Sequence, residues 1–468
     1  MRRTPLGWML VVLAGTPGCY LFNSLAGSGA SERDAGVLRI DASFGALLDA
    51  SSSATLDARR MDHDAWAPDS GPPLPREPDP GPDGRPSDDP DGWVDPPELG
   101  PDDPCCTLGE PVRVTSRDEG VALSDDPPLI AWGPGRWGLA VTRFLAGEGR
   151  VRTLVTYDLS ADGTVAGPAR TLATPPHLSA ESTPRARVFR WAAGRWALVA
   201  SDDAVTGSER PLDVRFFDAS FTPASAWIPL GAGTGVDLTY LAHRDRWLAF
   251  TSQSDATRSI PLDERDGVGP VMDATSPWSR VVRAASLRSR AVVLPLDANA
   301  ATDLFVVDPD GAVLGRLPHA SDRGSFRGGS MTSVRDVAVV AVQRLNRVEI
   351  EVADPFALRW VTGPSVVGDA GSGDRGLEHG LDVAGSGTFG VAGVCWGVPG
   401  VEGRDEESRI LFRLVDTRGR PRGAAVTVVS SMFRGNLANC TVGTDDRGFL
   451  VGWWNGSELW VRRIDLAP

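Results

Sequence analysis

The sequence contains no lysine. All 47 basic residues are arginine, set against 61 acidic ones for a formal net charge of −14. Histidine and cysteine are scarce, five of each, and no HExxH or CxxC spacing occurs among them, so no metal motif is present and no metal or cofactor is expected. No apolar run approaches the roughly 18–20 residues that a membrane-crossing helix needs, which excludes a polytopic helical membrane protein. Glycine has no triplet period, so the chain is not collagen-like. At 41% hydrophobic residues it is too apolar for wholesale disorder. A basic stripe of the kind nucleic acid requires is missing. The Gly371-Ser-Gly-Asp-Arg-Gly376 loop does not join a strand to a helix, so it is not a phosphate cradle, and there is no nucleophile elbow.

What is present is unevenly placed. Arg2 and Arg3 precede an apolar segment, Leu6-Gly-Trp-Met-Leu-Val-Val-Leu-Ala14, too short to span and suited to an export signal. Small residues then lead to a cysteine, Leu13-Ala-Gly-Thr-Pro-Gly-Cys19. This order resembles a bacterial lipobox, although Thr16 and Pro17 depart from the usual pattern. The resemblance implies cleavage before Cys19 and lipidation of its thiol, which would anchor the chain, since each buried methylene contributes about 0.8 kcal/mol. Tyr20 follows in place of the Asp that marks inner-membrane retention, so the resemblance points to the outer membrane, on either of its sides. With its lysine-free, Gly- and Pro-rich composition, the chain is similar to lipoproteins of myxobacteria-type bacteria.

Residues 20–104 read as a disordered tether. From Asp57 to Pro104 there are 14 acidic and 4 basic residues with 13 prolines, so this stretch carries a net −10. Like charge and proline keep such a chain extended. Its Asp-Gly pairs lack the fixed register and closing Glu of a calcium loop.

From Cys105 onward a repeat takes over. Seven short β-like runs open at Trp137, Trp196, Trp247, Ala291, Val337, Phe389 and Phe449, with spacings of 59, 51, 44, 46, 52 and 60. Each is followed by a second run ending in Asp: Asp158, Asp218, Asp263, Asp308, Asp354, Asp416 and Asp465. Asp suits the start of a hairpin turn because its carboxylate accepts turn N–H groups. One further strand precedes each anchor and another follows each Asp. Four strands per roughly 50 residues is the pattern of a propeller blade. The predicted fold of residues 105–468 is all-β, a seven-bladed β-propeller of four-stranded antiparallel blades. The last copy stops after three strands, and Glu110-Pro-Val-Arg-Val-Thr115 is expected to supply its fourth and close the ring. A pair of β-sandwiches is the rival architecture.

Extra residues fall between the second and third strands of blades 1, 2 and 6, and in the links entering blades 2, 6 and 7. Both loop types emerge on one face of an antiparallel blade, so a recognition arc is expected there. Its polar candidates are His177, Glu181, Asp202, Asp203, Glu209, Arg210, Asp374, Arg375, Glu378, His379, Arg404, Asp405, Glu406, Glu407 and Arg434. Four cysteines follow Cys19, and an even number in an exported chain suggests disulfides. Cys395 and Cys440 are expected on one face of neighbouring blades and are the first choice for a bridge. Cys105 and Cys106 either bridge each other or reach the last blades. The expected function is that of a monomeric, anchored binding module for a protein, glycan or envelope component. The alternative is a propeller enzyme, a glycosidase or lyase using carboxylates at the central channel.

Overall fold

The computed structural model describes residues 99–466 apart from 101, 116–126, 145–151, 176–183, 203–208, 254–255, 264–266, 275–280, 297–302, 319–327, 345, 371–379, 400–406, 432–438, 446 and 457. The export signal with Cys19, and nearly all of the tether, lie outside these residues. Seven antiparallel sheets follow one another in chain order. Their innermost strands are Leu129–Trp132, Pro184–Ala192, Gly235–Leu241, Val281–Leu287, Gly328–Val334, Leu381–Ser386 and Cys440–Thr444. Six sheets have four strands. In blade 3 the outer edge is shared by two short strands, Gly267–Val268 and Met272–Ala274, which both pair with Thr257–Asp263. The architecture is the expected seven-bladed propeller.

The ring closes as anticipated. Strand Cys106–Arg113 pairs antiparallel with Glu458–Leu466, setting Val112 opposite Val461 and Arg113 opposite Trp460, with a register irregularity between Leu108 and Pro111. The Val114 N–H donates to the Leu459 carbonyl (2.7 Å), and the Leu459 N–H donates to Thr115 Oγ1 (2.8 Å). A further bond, from the Ala424 N–H to the Asp103 carbonyl (2.7 Å), ties the start of this segment to blade 6. An unpaired edge strand is an invitation to intermolecular pairing; here the chain supplies its own partner.

Burial explains why the blades form a ring. Each blade has apolar residues on both faces, and the apolar clusters fall one to each interface between adjacent blades. Strand register identifies the position that recurs in these interfaces: the second-strand residue paired with the residue just before the third-to-fourth-strand turn. It is Trp137, Trp196, Trp247, Ala291, Ala338, Ala392 and Phe449. All seven are buried, and each belongs to the cluster shared with the preceding blade. Two expected anchors are therefore corrected: Val337 is displaced by one residue and Phe389 by three. In blade 6 the turn Gly387–Gly390 occupies the place expected to open the strand. The bulk of that interface comes from Trp396 instead.

The acidic turn residues behave as their chemistry dictates. Oδ1 of Asp218 accepts the N–H groups of Ser220 (2.8 Å) and Thr222 (2.9 Å). Asp308 does the same for Asp310 (2.9 Å) and Ala312 (2.8 Å), and Asp416 for Arg418 (2.8 Å) and Arg420 (2.9 Å). In blade 1 the equivalent residue is Ser160, since Gly163 N–H bonds its carbonyl (2.9 Å). Asp158 lies two residues earlier, buried and paired with Arg136. The third residue after each turn opener is left-handed: Gly163, Phe221, Gly311 and Gly419 at φ 86°, 61°, 94° and 71°. Phe221 alone among these is not glycine. Its ring stacks on Trp196 (centroids 4.9 Å apart) and on Phe189 (6.2 Å), and that burial offsets the strained backbone.

Replacement of Phe221 is expected to invert the usual order of severity. Phe221→Ala loses the stack and keeps the strain, whereas Phe221→Gly loses the stack and relieves it. The alanine variant should unfold about 1 kcal/mol more easily than the glycine variant, measured by urea denaturation. Equal or reversed values would show that the left-handed turn carries no strain.

Candidate binding face and central channel

In every blade the inner strand runs from one face of the ring to the other, so connections segregate by face. Hairpins between the first and second strands are tight, as at Ala193-Gly194, where both residues have positive φ (53° and 73°), the geometry of a type I′ turn. The described strand ends at the opposite face are joined by the connections 145–151, 203–209 and 399–407 between second and third strands, and by 173–183, 370–380 and 432–439 entering the next blade. Their lengths match the insertions read from the sequence spacing of blades 6, 7, 1 and 2. The connections 297–303 and 318–327 around blade 4 are of similar length, so long loops extend further around the ring than the sequence spacing indicated.

Most of the candidate residues lie outside the described residues: His177, Glu181, Asp203, Asp374, Arg375, Glu378, His379, Arg404, Asp405, Glu406 and Arg434. Four are described. Asp202 ends the second strand of blade 2 and is buried, Glu209 and Arg210 are half-buried at the start of the third strand, and Glu407 is exposed. Asp202, Glu209 and Arg210 thus sit at the two stems of one loop.

The second candidate is the channel along the ring axis, a cavity of about 700 Å³ lined by the inner strands of all seven blades. Register resolves it into levels. Three residues in from the tight-turn end, blades 3 to 7 place Asp237, Arg283, Ser330, Asp382 and Thr441 at equivalent positions. At the tight-turn end itself, opposite the buried anchors, stand Trp132, Trp191, Tyr240, Ser286, Ser333, Gly385 and Thr444. The channel is therefore lopsided, aromatic on blades 1–3 and lined by small residues on blades 4–7.

Its two carboxylates are held by the ring. Asp237 is almost wholly buried and accepts the N–H groups of Leu238 (2.7 Å) and of Ala284 in the next blade (2.8 Å), with Arg190 from the previous blade at 3.2 Å. Asp382 accepts the Val383 N–H (2.9 Å), the Ser330 hydroxyl of blade 5 (2.7 Å), and the Thr441 hydroxyl and Val442 N–H of blade 7 (both 2.9 Å). The inner edge of a blade has backbone donors with no strand beside them, and these side chains satisfy them across the interface. The two acids lie three blades apart, each with both oxygens engaged. Sequence reasoning missed them. A signal was available in the repeated Gly235-Val-Asp-Leu238 and Gly380-Leu-Asp-Val383, where a single acid interrupts an apolar inner strand.

Tyr240 donates its hydroxyl to Asp245. Burial, with the adjacent carboxylate, pushes its pKa up to about 12, so the phenol stays neutral. The expected bridge between blades 6 and 7 is present, Cys395 to Cys440. Cys105 and Cys106 are buried thiols 2.8 Å apart at the start of the closing strand. Their mutual hydrogen bond lowers the Cys105 pKa and raises that of Cys106. Among the described residues no cluster of three or more His, Cys, Asp or Glu side chains could hold a metal ion.

No family model matches the chain, and no curated protein matches it in sequence. Solved structures match in fold. The Dos1 propeller aligns with a TM-score of 0.45 at 10% identity over 77% of this chain and 95% of its own. The propeller domain of the Trilobed protease from Pyrococcus furiosus aligns at 0.41 and 9%, over 75% and 96%. TolB from Acinetobacter baumannii aligns at 0.38 and 14%, over 64% of each chain. The likeness is one of architecture.

The bonds of Asp382 predict a structural phenotype. Asp382→Ala should cost about 2–3 kcal/mol, because it removes the acceptor of the Val383 and Val442 N–H groups and of two hydroxyls, while Asp382→Asn should cost less by keeping one acceptor. Chemical denaturation measures both. An alanine variant as stable as the parent would remove Asp382 from the set of blade ties.

Proposed function

We propose that this chain is an exported, lipid-anchored protein that displays the propeller as a binding module for a protein, glycan or envelope component. The observation that carries this reading is the segregation of long connections to one face of a ring whose other face is built from tight turns, the arrangement expected of a scaffold presenting variable loops. Several features of the sequence support export and anchoring. The apolar segment Leu6–Ala14 leads to Cys19 in lipobox order, and an acidic, proline-rich stretch separates Cys19 from the first blade. The Cys395–Cys440 bridge suits an oxidising compartment. Outer-membrane placement rests on Tyr20 alone. The carboxylates available for acid–base chemistry in the channel, Asp237 and Asp382, are engaged in tying blades together, which favours binding over the glycosidase or lyase alternative.

Two measurements test this. Cys19→Ser should move the protein from the membrane to the soluble fraction and abolish incorporation of labelled palmitate; retention at the membrane would refute a lipid anchor at Cys19. Replacing residues 371–379 and 400–406 together with Gly-Ser segments of equal length should abolish crosslinking to envelope components while leaving the melting temperature within a few degrees. Undiminished crosslinking would place recognition elsewhere.

A further inference from the structure

We propose that the tight-turn mouth of the central channel is a binding site for a carboxylated sugar, stacked against Trp132, Trp191 and Tyr240 and drawn in by Arg283 deeper in the channel. This site lies at the opposite end of the ring from the long-loop face and goes beyond the reading given above.

The first observation is the aromatic arc. In blades 1, 2 and 3 the last or next-to-last residue of the inner strand carries an aromatic side chain that packs on the buried anchor of its own blade. The ring centroids are 4.9 Å apart for Trp132 and Trp137, 4.7 Å for Trp191 and Trp196, and 5.2 Å for Tyr240 and Trp247. The anchors are buried, but the three inner-strand aromatics are half-buried and line the cavity. A methyl group added at Gly133, next to Trp132, would meet the Trp196 ring at 2.5 Å and the Trp191 ring at 3.3 Å, so the end of the blade 1 inner strand packs closely on the aromatic pair of blade 2. Packing from behind fixes these rings, and rigid aromatics at a concave mouth bind at low entropic cost.

The second observation is charge. The chain as a whole is formally −14, yet the cavity is lined by four arginines and two carboxylates. Both carboxylates are consumed by ties between blades, and at the mouth the Asp245 carboxylate accepts the Tyr240 hydroxyl. Arg190 reaches Asp237 (3.2 Å) from the residue next to Trp191. Arg283 donates to the carbonyls of Gly329 (3.1 Å) and Val282 (3.2 Å), and among the described residues it forms no ion pair with a carboxylate. Three residues of strand separate the aromatic level from that of Arg283, about 10 Å, which leaves room for a short oligosaccharide between them. With Nε and Nη1 held by those carbonyls, the Nη2 side of the guanidinium faces an incoming group, and a positive charge at that depth favours an anion such as a carboxylate.

The third observation chooses a sugar over other anions with flat faces. Opposite the arc, blades 4, 5 and 7 put Ser286, Ser333 and Thr444 at the same level. Hydroxyl side chains both donate and accept, and that of Thr444 already donates to the Gly448 carbonyl (3.0 Å). They suit a ligand whose own hydroxyls do the same, while its apolar ring faces lie on indole.

The test is calorimetric titration of the full chain with oligogalacturonate, an alginate trisaccharide, a hyaluronan tetrasaccharide and N-acetylneuraminate. The controls are methyl-esterified oligogalacturonate of equal length, uridine monophosphate and tetraglutamate. At least one carboxylated sugar should bind saturably with one site per chain, and the ester should bind at least tenfold more weakly. Arg283→Gln, which keeps a donor for the backbone carbonyls, and Trp191→Ala should each weaken binding at least tenfold. Because Trp191→Ala disturbs packing, Ser333→Trp serves as a second variant: it blocks the mouth from the opposite wall and should also abolish binding, with its melting temperature confirming a folded ring. The proposal is overturned if no carboxylated sugar binds, if ester and acid bind alike, if the three variants leave affinity unchanged, or if the nucleotide or peptide binds more tightly than every sugar.

Discussion

Everything in this domain depends on one strand pairing made between residues about as far apart in sequence as the domain allows. Cys106–Arg113 must find Glu458–Leu466, and until it does the last blade lacks its outer strand and the apolar faces of blades 7 and 1 stay apart. The entropy of closing so long a loop grows only slowly with length, but contacts of such separation delay folding. Local hairpins and interfaces between successive blades can form first, each with its own apolar cluster. Closure then adds the seam strand to the last blade, satisfying the outer edge of Glu458–Leu466.

That dependence shapes what could be read from the sequence. The blade repeat was legible because three anchors are tryptophans, and a buried indole at nearly regular spacing is conspicuous. Where the same position holds Ala338 or Ala392, nothing bulky marks it, and neighbouring Val337 and Phe389 drew attention instead. Blade 1 misled in a similar way: Ser160 opens its turn with a hydroxyl, while Asp158 two residues earlier mimics the acidic opener of other blades. The closing strand was legible from a missing fourth strand, and the Cys395–Cys440 pairing from strand placement. Asp237 and Asp382 were not, because their role is defined by donors on adjacent blades, and sequence spacing does not show which side chain meets which edge. The lopsided channel was equally hidden, since it appears only when inner-strand ends are aligned by register.

The two faces of the ring divide the chemistry. Long connections gather where the inner strands begin, and aromatic side chains where three of them end. Between these levels the channel is braced by carboxylates and hydroxyls that join one blade to the next. A scaffold of this kind holds its binding groups in fixed relation, because every inner strand is restrained by its own hairpin and by the packing on either side. The reading as an anchored display protein and the proposed sugar site place recognition at opposite ends of one rigid body.

The seam also governs how the molecule responds to mechanical load. The chain upstream joins the ring at Asp103, so any tension along it arrives first at the Ala424–Asp103 bond and the Pro104–Ala424 bridge, and then at a strand held by backbone hydrogen bonds. Nearby, a covalent link between Cys395 and Cys440 fastens blades 6 and 7 to each other. A pull would therefore peel the seam strand from the last blade while those two blades stay joined, leaving the remaining six sheets to yield only afterwards.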